Sequence, residues 1–194
     1  MARPRVTAER REEILAAFAR CVARDGVEGA SLQQVADEAG LARGLLRHHL
    51  GNREEMILAL AERFCRHSLA EMAELQAMLP KARRLEKLIA ALFTVHYASA
   101  AQDLQVGAAL INAAAGRPAL RKLLRDWYDA FEAIIAAELR KAYPKARRGA
   151  VVEVASAIAG MALSADSLTP LGAVDDLFAR SRRAALRLAA TLGD

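Results

Sequence analysis

Between Ser31 and Asn52 the chain has room for two short helices and a tight turn, and for little else. Ser31-Leu32-Gln33-Gln34 has the pattern of a capping box, in which the serine hydroxyl meets a free helix amide and the glutamine reaches back to the serine amide. Gly40 supplies the positive φ that ends this helix, and a second short helix follows from about Ala42 to His49. Gly51-Asn52 then restarts the chain, with Asn52 as cap and Glu55 answering it. Ala36, Gly40 and Leu46 fall at successive offsets of four and six residues. A small residue lets two helices cross closely, a glycine turns the chain, and an apolar residue locks the second helix on the first. Those are the requirements of a helix-turn-helix.

Many helical chains contain that spacing by chance, so the faces of the second helix matter more. At 100° per residue, Leu45, Leu46, His49 and Leu50 share one arc, and Arg43, Gly44, Arg47 and His48 the other. A guanidinium can bind guanine O6 and N7 in bidentate fashion, worth roughly 1–3 kcal/mol of discrimination. Gly44 lowers helix propensity by about 1 kcal/mol relative to alanine. The absence of a side chain there makes sense where backbone must come close to DNA. The alternative reading is a solvated face with no partner.

The rest of the chain is read as helices too. Helix 1 is expected from Thr7 to Arg24, with Ile14, Leu15, Phe18 and Val22 inward and Gly26 as its stop, preceded by a basic arm with Arg3 and Arg5. A long helix from Arg53 to Met78 ends before Pro80. Further helices are expected near 83–101, 104–115, 118–143, 147–165 and 174–192, punctuated by Gly116-Arg117-Pro118, Pro144 and Thr169-Pro170-Leu171-Gly172. No stretch alternates with period two, and aromatics are only 5% against 54% hydrophobic residues, which favours close-packed helices over sheets. The expectation is all-α with about nine helices: a three-helix head at 1–52 and a helical bundle at 53–194.

Several function classes drop out. No nucleophile has a base and orienter, no glycine-rich phosphate loop exists, and no carboxylate pair stands out, so an enzyme is not expected. His48 and His49 point about 100° apart on a helix, and Cys65 and His67 are two residues apart, so no metal cluster or cofactor is expected. Cys21 and Cys65 inside helices suggest free thiols in a reducing compartment. The start lacks an apolar secretory core, and the weakly polar run from Glu153 to Asp166 is short for a bilayer, so the expectation is cytoplasmic with no membrane partner. A formal charge of +5 leans only weakly toward a polyanion.

The run SLQQVADEAGLARGLLRHHLGNREEMILAL, Ser31 to Leu60, resembles the DNA-binding segment of regulators of the tetracycline-repressor (TetR) family. The resemblance covers roughly the first sixty residues; beyond them it is one of helix number and length. It implies a three-helix reading head, a ligand-binding helical body and a two-fold dimer on double-stranded operator DNA. It places DNA contacts on Ser31, Gln33, Arg43, Gly44, Leu45, Arg47, His48 and His49, with Asn52 and Arg53 holding a phosphate at the next helix start. The sequence departs from the family pattern at three places. Arg47 stands where tyrosine is usual, Leu50 where phenylalanine is frequent, and Arg53 where lysine is usual.

In the body, Val151 to Leu163 is apolar almost all round and must be covered on both sides. With the stripe Leu177, Ser181, Ala185 and Leu188 of the last helix, the residues Val151, Val154, Ala155 and Ile158 are candidates for a four-helix dimer interface. The alternative is the centre of a monomeric bundle. A small-molecule effector would find polar or aromatic residues interrupting apolar helices at His96, Tyr97, Asn112, Trp127, Tyr128 and Phe131. The stretch from Gly116 to Phe131 is loosely similar to betaine-pathway repressors, and an aromatic cage of Trp127, Tyr97 and Tyr128 would suit a quaternary ammonium. These features fit a ligand-responsive regulator acting as a repressor. The competing reading is a helical ligand-binding or scaffolding protein whose head does not function on DNA.

Overall fold

The Ser31 cap and the Gly40 turn bound the second helix and Asn52 caps the fourth, as the sequence suggests. In the computed structural model, which describes residues 3–94, 101–172 and 174–193, the described residues form nine α-helices and no strand. These are α1 (Arg3–Gly29), α2 (Leu32–Ala39), α3 (Arg43–Leu50), α4 (Arg53–Met78), α5 (Arg84–Leu92), α6 (Ala101–Ala113), α7 (Pro118–Ala142), α8 (Arg148–Ser167) and α9 (Val174–Ala190). Short 3-10 turns lie at Ala114–Gly116 and Thr169–Leu171. The helix begins at Arg3, so the backbone of the expected basic arm is helical, and Gly26 ends its regular stretch as expected, with non-helical φ 73° and ψ 171° before a last turn to Gly29. The α5 helix stops at Leu92, well short of the expected Ala101. There the Thr94 hydroxyl donates to Ala91 O at 3.0 Å, a local bond that competes with helix continuation.

The chain divides into two compact units, Met1–Ser68 with Ala100–Arg125, and Leu69–Ser99 with Asp126–Asp194. In the first, α1 packs on α2, α3 and α6. Ile14, Phe18, Cys21 and Val22 of α1, Val35 and Ala36 of α2, and Leu46 and Leu50 of α3 are all buried. Ala36 has no side chain beyond Cβ to hold the helices apart. Its carbonyl also closes the α2 end by accepting from Leu41 N at 2.9 Å, across Gly40 in the left-handed conformation (φ 63°, ψ 36°). On α6, a Cβ at Gly107 would stand 2.8 Å from the tip of the Phe64 ring of α4, so a side chain there would have to displace the ring. Burial pushes the Cys65 thiol up to about 11 and raises that of Cys21 as well, which keeps both sulfurs protonated and unreactive.

The second unit has its own core, built from Met72, Leu88, Ile89 and Leu92, then Phe131, Ile135 and Leu139, then Val151, Ala155 and Ile158, with Phe178, Ala185 and Ala189 of α9. One charge lies inside it. Glu138, 1% exposed, accepts from Arg84 Nε at 2.8 Å, Lys141 Nζ at 2.9 Å and Gln76 Nε2 at 3.3 Å. Burial pushes its carboxyl up, and the bonds from Lys141 and Arg84 more than offset this, leaving it below the usual range. Arg84 also donates to the carbonyls of Gln76 and Leu79, which ties down the turn between α4 and α5. By length and composition residues 148–171 are apolar enough to cross a membrane, contrary to the expectation of too short a run. The burial of Val151, Val154, Ala155 and Ile158 in the unit's own core accounts for that apolarity.

At the end of α8, Asp166 Oδ1 is buried without a partner, and burial raises its carboxyl pKa to about 6. A carboxyl whose folded pKa is raised favours the native state most below its unfolded value and least once pH passes the folded value. Asp166→Asn is therefore expected to raise the melting temperature at pH 8 and to change it little at pH 4, as thermal melts at the two pH values would record. In the first unit, Leu46→Ala removes a fully buried side chain from the α2–α3 contact and is expected to cost about 2–5 kcal/mol in denaturant unfolding.

Candidate nucleic-acid interface

The helix-turn-helix residues fold as their chemistry dictates. Ser31 Oγ accepts from Gln34 N at 3.2 Å, and Gln34 Oε1 accepts from Ser31 N at 2.8 Å, which completes the capping box. At the start of α4, Asn52 Oδ1 accepts from Glu55 N at 3.0 Å and Glu55 Oε2 accepts from Asn52 N at 2.6 Å. Gln33 is exposed on α2, its amide donating to Asp37 at 2.8 Å.

On α3 the buried arc is narrower than the sequence suggests. Leu46 and Leu50 are inside, His49 is half-buried, and Leu45, expected on the inward arc, is 43% exposed. The helix starts at Arg43 and is only two turns long, so a single inward pair suffices to seat it. His49 is held at its backbone, where the carbonyl accepts from Arg11 at 3.1 Å, while its Nδ1 is buried without a partner. His48 is exposed and meets the His49 ring edge-on at 5.1 Å.

The outward face is Arg43, Gly44, Leu45, Arg47 and His48. Neither Arg43 nor Arg47 makes a hydrogen bond or ion pair among the described residues, in contrast to the arginines around them. Arg20 binds Glu38 at 2.6 Å, Arg10 binds Glu13 at 2.7 Å, and Arg63 binds Glu12 at 2.5 Å. A Cβ at Gly44 would meet nothing within 4 Å, so the chain's own packing does not require glycine there. Arg53 differs from this outward set: its guanidinium is part-buried and donates to backbone carbonyls at the end of α1.

The candidate effector residues are spread over both units. Asn112 is exposed in the first unit, on a groove of about 560 Å³ between the α1 end and α6. In the second, Trp127 and Phe131 are buried and stacked at 6.5 Å with their planes 12° apart. Tyr128 is half-buried, and burial followed by the nearby Glu132 carboxylate raises its phenol pKa. His96 and Tyr97 lie outside the described residues. Of the candidate dimer residues, Val151, Val154, Ala155, Ile158 and Ala185 are buried by their own chain, and Leu177, Ser181 and Leu188 are half-buried. The outer faces carry Val152, Ala157, Gly160 and Ser164 on α8, and Arg180, Arg183 and Arg187 on α9.

Residues 14–60 match the family model described as bacterial regulatory proteins, tetR family. Over 64 residues the chain is 42% identical to the HTH-type transcriptional repressor AcnR of Corynebacterium efficiens, covering 33% of this chain and 32% of that protein. Over 97 residues it is 34% identical to the HTH-type transcriptional regulator BetI of Brucella canis, covering 50% and 46%. The match thus spans about a third of the length of the AcnR proteins it resembles. The fold extends further. A transcriptional regulator from Rhodococcus sp. Rha1 superposes with a TM-score of 0.74 at 22% identity over 95% of this chain and 98% of that one. The multidrug binding protein EbrR, solved in complex with imidazole, gives 0.68 at 23% identity over 92% and 94%. The chain thus carries a tetR-family segment at residues 14–60, on a fold shared with solved transcriptional regulators.

Proposed function

We propose that the protein is a cytoplasmic transcriptional regulator, acting as a repressor, that binds a pseudo-palindromic operator as a homodimer and is released by a small-molecule effector. The observation that carries this reading is the outward face of α3. Two exposed arginines without partners among the described residues share that face with a glycine that has open space above it. A major groove admits a helix presenting that surface, and each guanidinium can read a guanine edge. In this reading residues 1–52 contact DNA through Ser31, Gln33, Arg43, Gly44, Leu45, Arg47, His48 and His49. Asn52 meets a phosphate by exchanging Glu55 for it at the start of α4.

Residues 53–194 hold effector and partner. A second copy finds the outer faces of α8 and α9 together with the half-buried Leu177, Ser181 and Leu188, since the other apolar positions are already covered. Two recognition helices in such a dimer lie one helical turn apart, about 34–36 Å, which matches a palindromic site. The effector is a small organic molecule taken by the body, for which Trp127, Tyr128 and Phe131 of the second unit are the candidate contacts. The crystal structure of EbrR with imidazole supports a small-molecule ligand for this fold. Release requires that the effector bind one conformation of the protein more tightly than the other.

Binding is tested on duplexes selected from a random pool, by fluorescence anisotropy. The double substitution Arg43→Ala/Arg47→Ala is expected to abolish selective binding at unchanged melting temperature. Selective binding that survives it would show that Arg43 and Arg47 do not read the DNA, and wild-type protein that selects no sequence would favour a scaffolding role with an idle head. Gly44→Ala separates folding from function: it is expected to stabilise the fold by about 0.5–1 kcal/mol through helix propensity while weakening DNA binding by blocking backbone approach.

A further inference from the structure

Two arginines outside α3 take hold of the four residues that lead from α1 into α2. Arg53, at the start of α4, donates from Nη1 to Ala30 O at 2.8 Å and from Nη2 to Val27 O and, at 3.3 Å, to Glu28 O. Arg117, between the Ala114–Gly116 turn and α7, lies with Nη1 2.8 Å from the Glu28 carboxylate and Nε 2.9 Å from that of Glu54. Its Nη1 also donates to Ala113 O at 3.1 Å. Its side chain is 20% exposed.

The clasped segment needs restraint. Gly26 has φ 73° and Gly29 follows three residues later, so the backbone there is the least constrained part of α1. The carbonyls at a helix end have no intrahelical partner, and Arg53 satisfies them from a different helix. Ser31, the cap of α2, comes immediately after Ala30. The direction in which α2 leaves α1 decides where α3 points.

Resting on the DNA-binding reading, we propose that Arg53 and Arg117 form a clasp that aims α2 and α3, acting as positioning residues and not as phosphate contacts. The resemblance would put Arg53 on a phosphate. Three of its N–H bonds instead point at protein carbonyls, and a guanidinium has only five. Arg117 ties the same segment to the α4 start and to the α6–α7 turn through two carboxylates. Glu28 and Glu54 are largely exposed, 71% and 58%, so this half of the clasp is loosened by salt.

Operator binding against salt tells a positioning residue from a contact. Loss of a phosphate contact flattens the slope of log affinity on log salt by about one. Arg53→Gln and Arg117→Gln are expected to weaken binding by about tenfold, the size of one good base contact, with the slope unchanged and Arg117→Lys recovering part of the loss. Glu28→Gln/Glu54→Gln gives opposite signs. Removing two negative charges near DNA would tighten binding by electrostatics alone, whereas an opened clasp weakens it. A slope reduced by one in Arg53→Gln, or tighter binding by the double amide variant, would overturn the proposal. Amide exchange without DNA is the independent arm. Faster exchange across 27–31 in Arg53→Gln and Arg117→Gln supports the clasp, and unchanged exchange overturns it. Wild-type protein that selects no DNA sequence would defeat the regulator reading instead, leaving the clasp to the exchange result.

Discussion

The packing of α2 and α3 on each other and on α1, with Ala36 and Leu46 fully buried, is the constraint on which the rest of the head depends. The buried Leu46 and Leu50 seat a two-turn helix that is far too short to be stable alone. Once Leu46 and Leu50 are inside, the register of α3 is set, and Arg43, Gly44 and Arg47 have no choice but to face outward. Function follows from a packing decision made on the opposite side of the same helix.

That outward face is also where local rules are broken. A glycine in the first turn of a short helix lowers its propensity, and two neighbouring arginines have no carboxylate among the described residues, although Glu38, Glu12 and Glu13 satisfy other arginines of the head. Sequences tend to depart from local consistency where a partner supplies the missing interaction. For guanidinium groups beside bare backbone, a polyanion with readable edges is such a partner. The glutamate pairs elsewhere have a second effect, since they leave the face of α3 as a region of unneutralised positive charge.

What was legible in the sequence was what depends on neighbours in the chain. The Ser31 and Asn52 caps, the Gly40 turn, the 53–78 helix and the burial of Leu46 all follow from contacts within a few residues. Legibility failed where the decisive partner is distant. Nothing near Arg53 in the sequence announces that its guanidinium donates to the carbonyls of residues 27–30. Leu45 was placed inward because period alone cannot say how wide a buried arc must be. In α8, apolar on nearly every side, periodicity had no phase to offer. Only the packing shows that Val151, Val154, Ala155 and Ile158 serve the chain's own core while Val152 and Gly160 stay outside. The end of α5 escaped because a threonine hydroxyl competing for a carbonyl is a weak signal against a strong helical background.

The central claim is that α3 enters a major groove as one of a symmetric pair. Hydroxyl-radical footprinting of the wild-type protein on a duplex selected from a random pool tests it most directly. The account predicts two symmetric protected patches whose centres lie about 10–10.5 base pairs, or a multiple of that, apart. A single asymmetric patch, or uniform weak protection along the whole duplex, would contradict it.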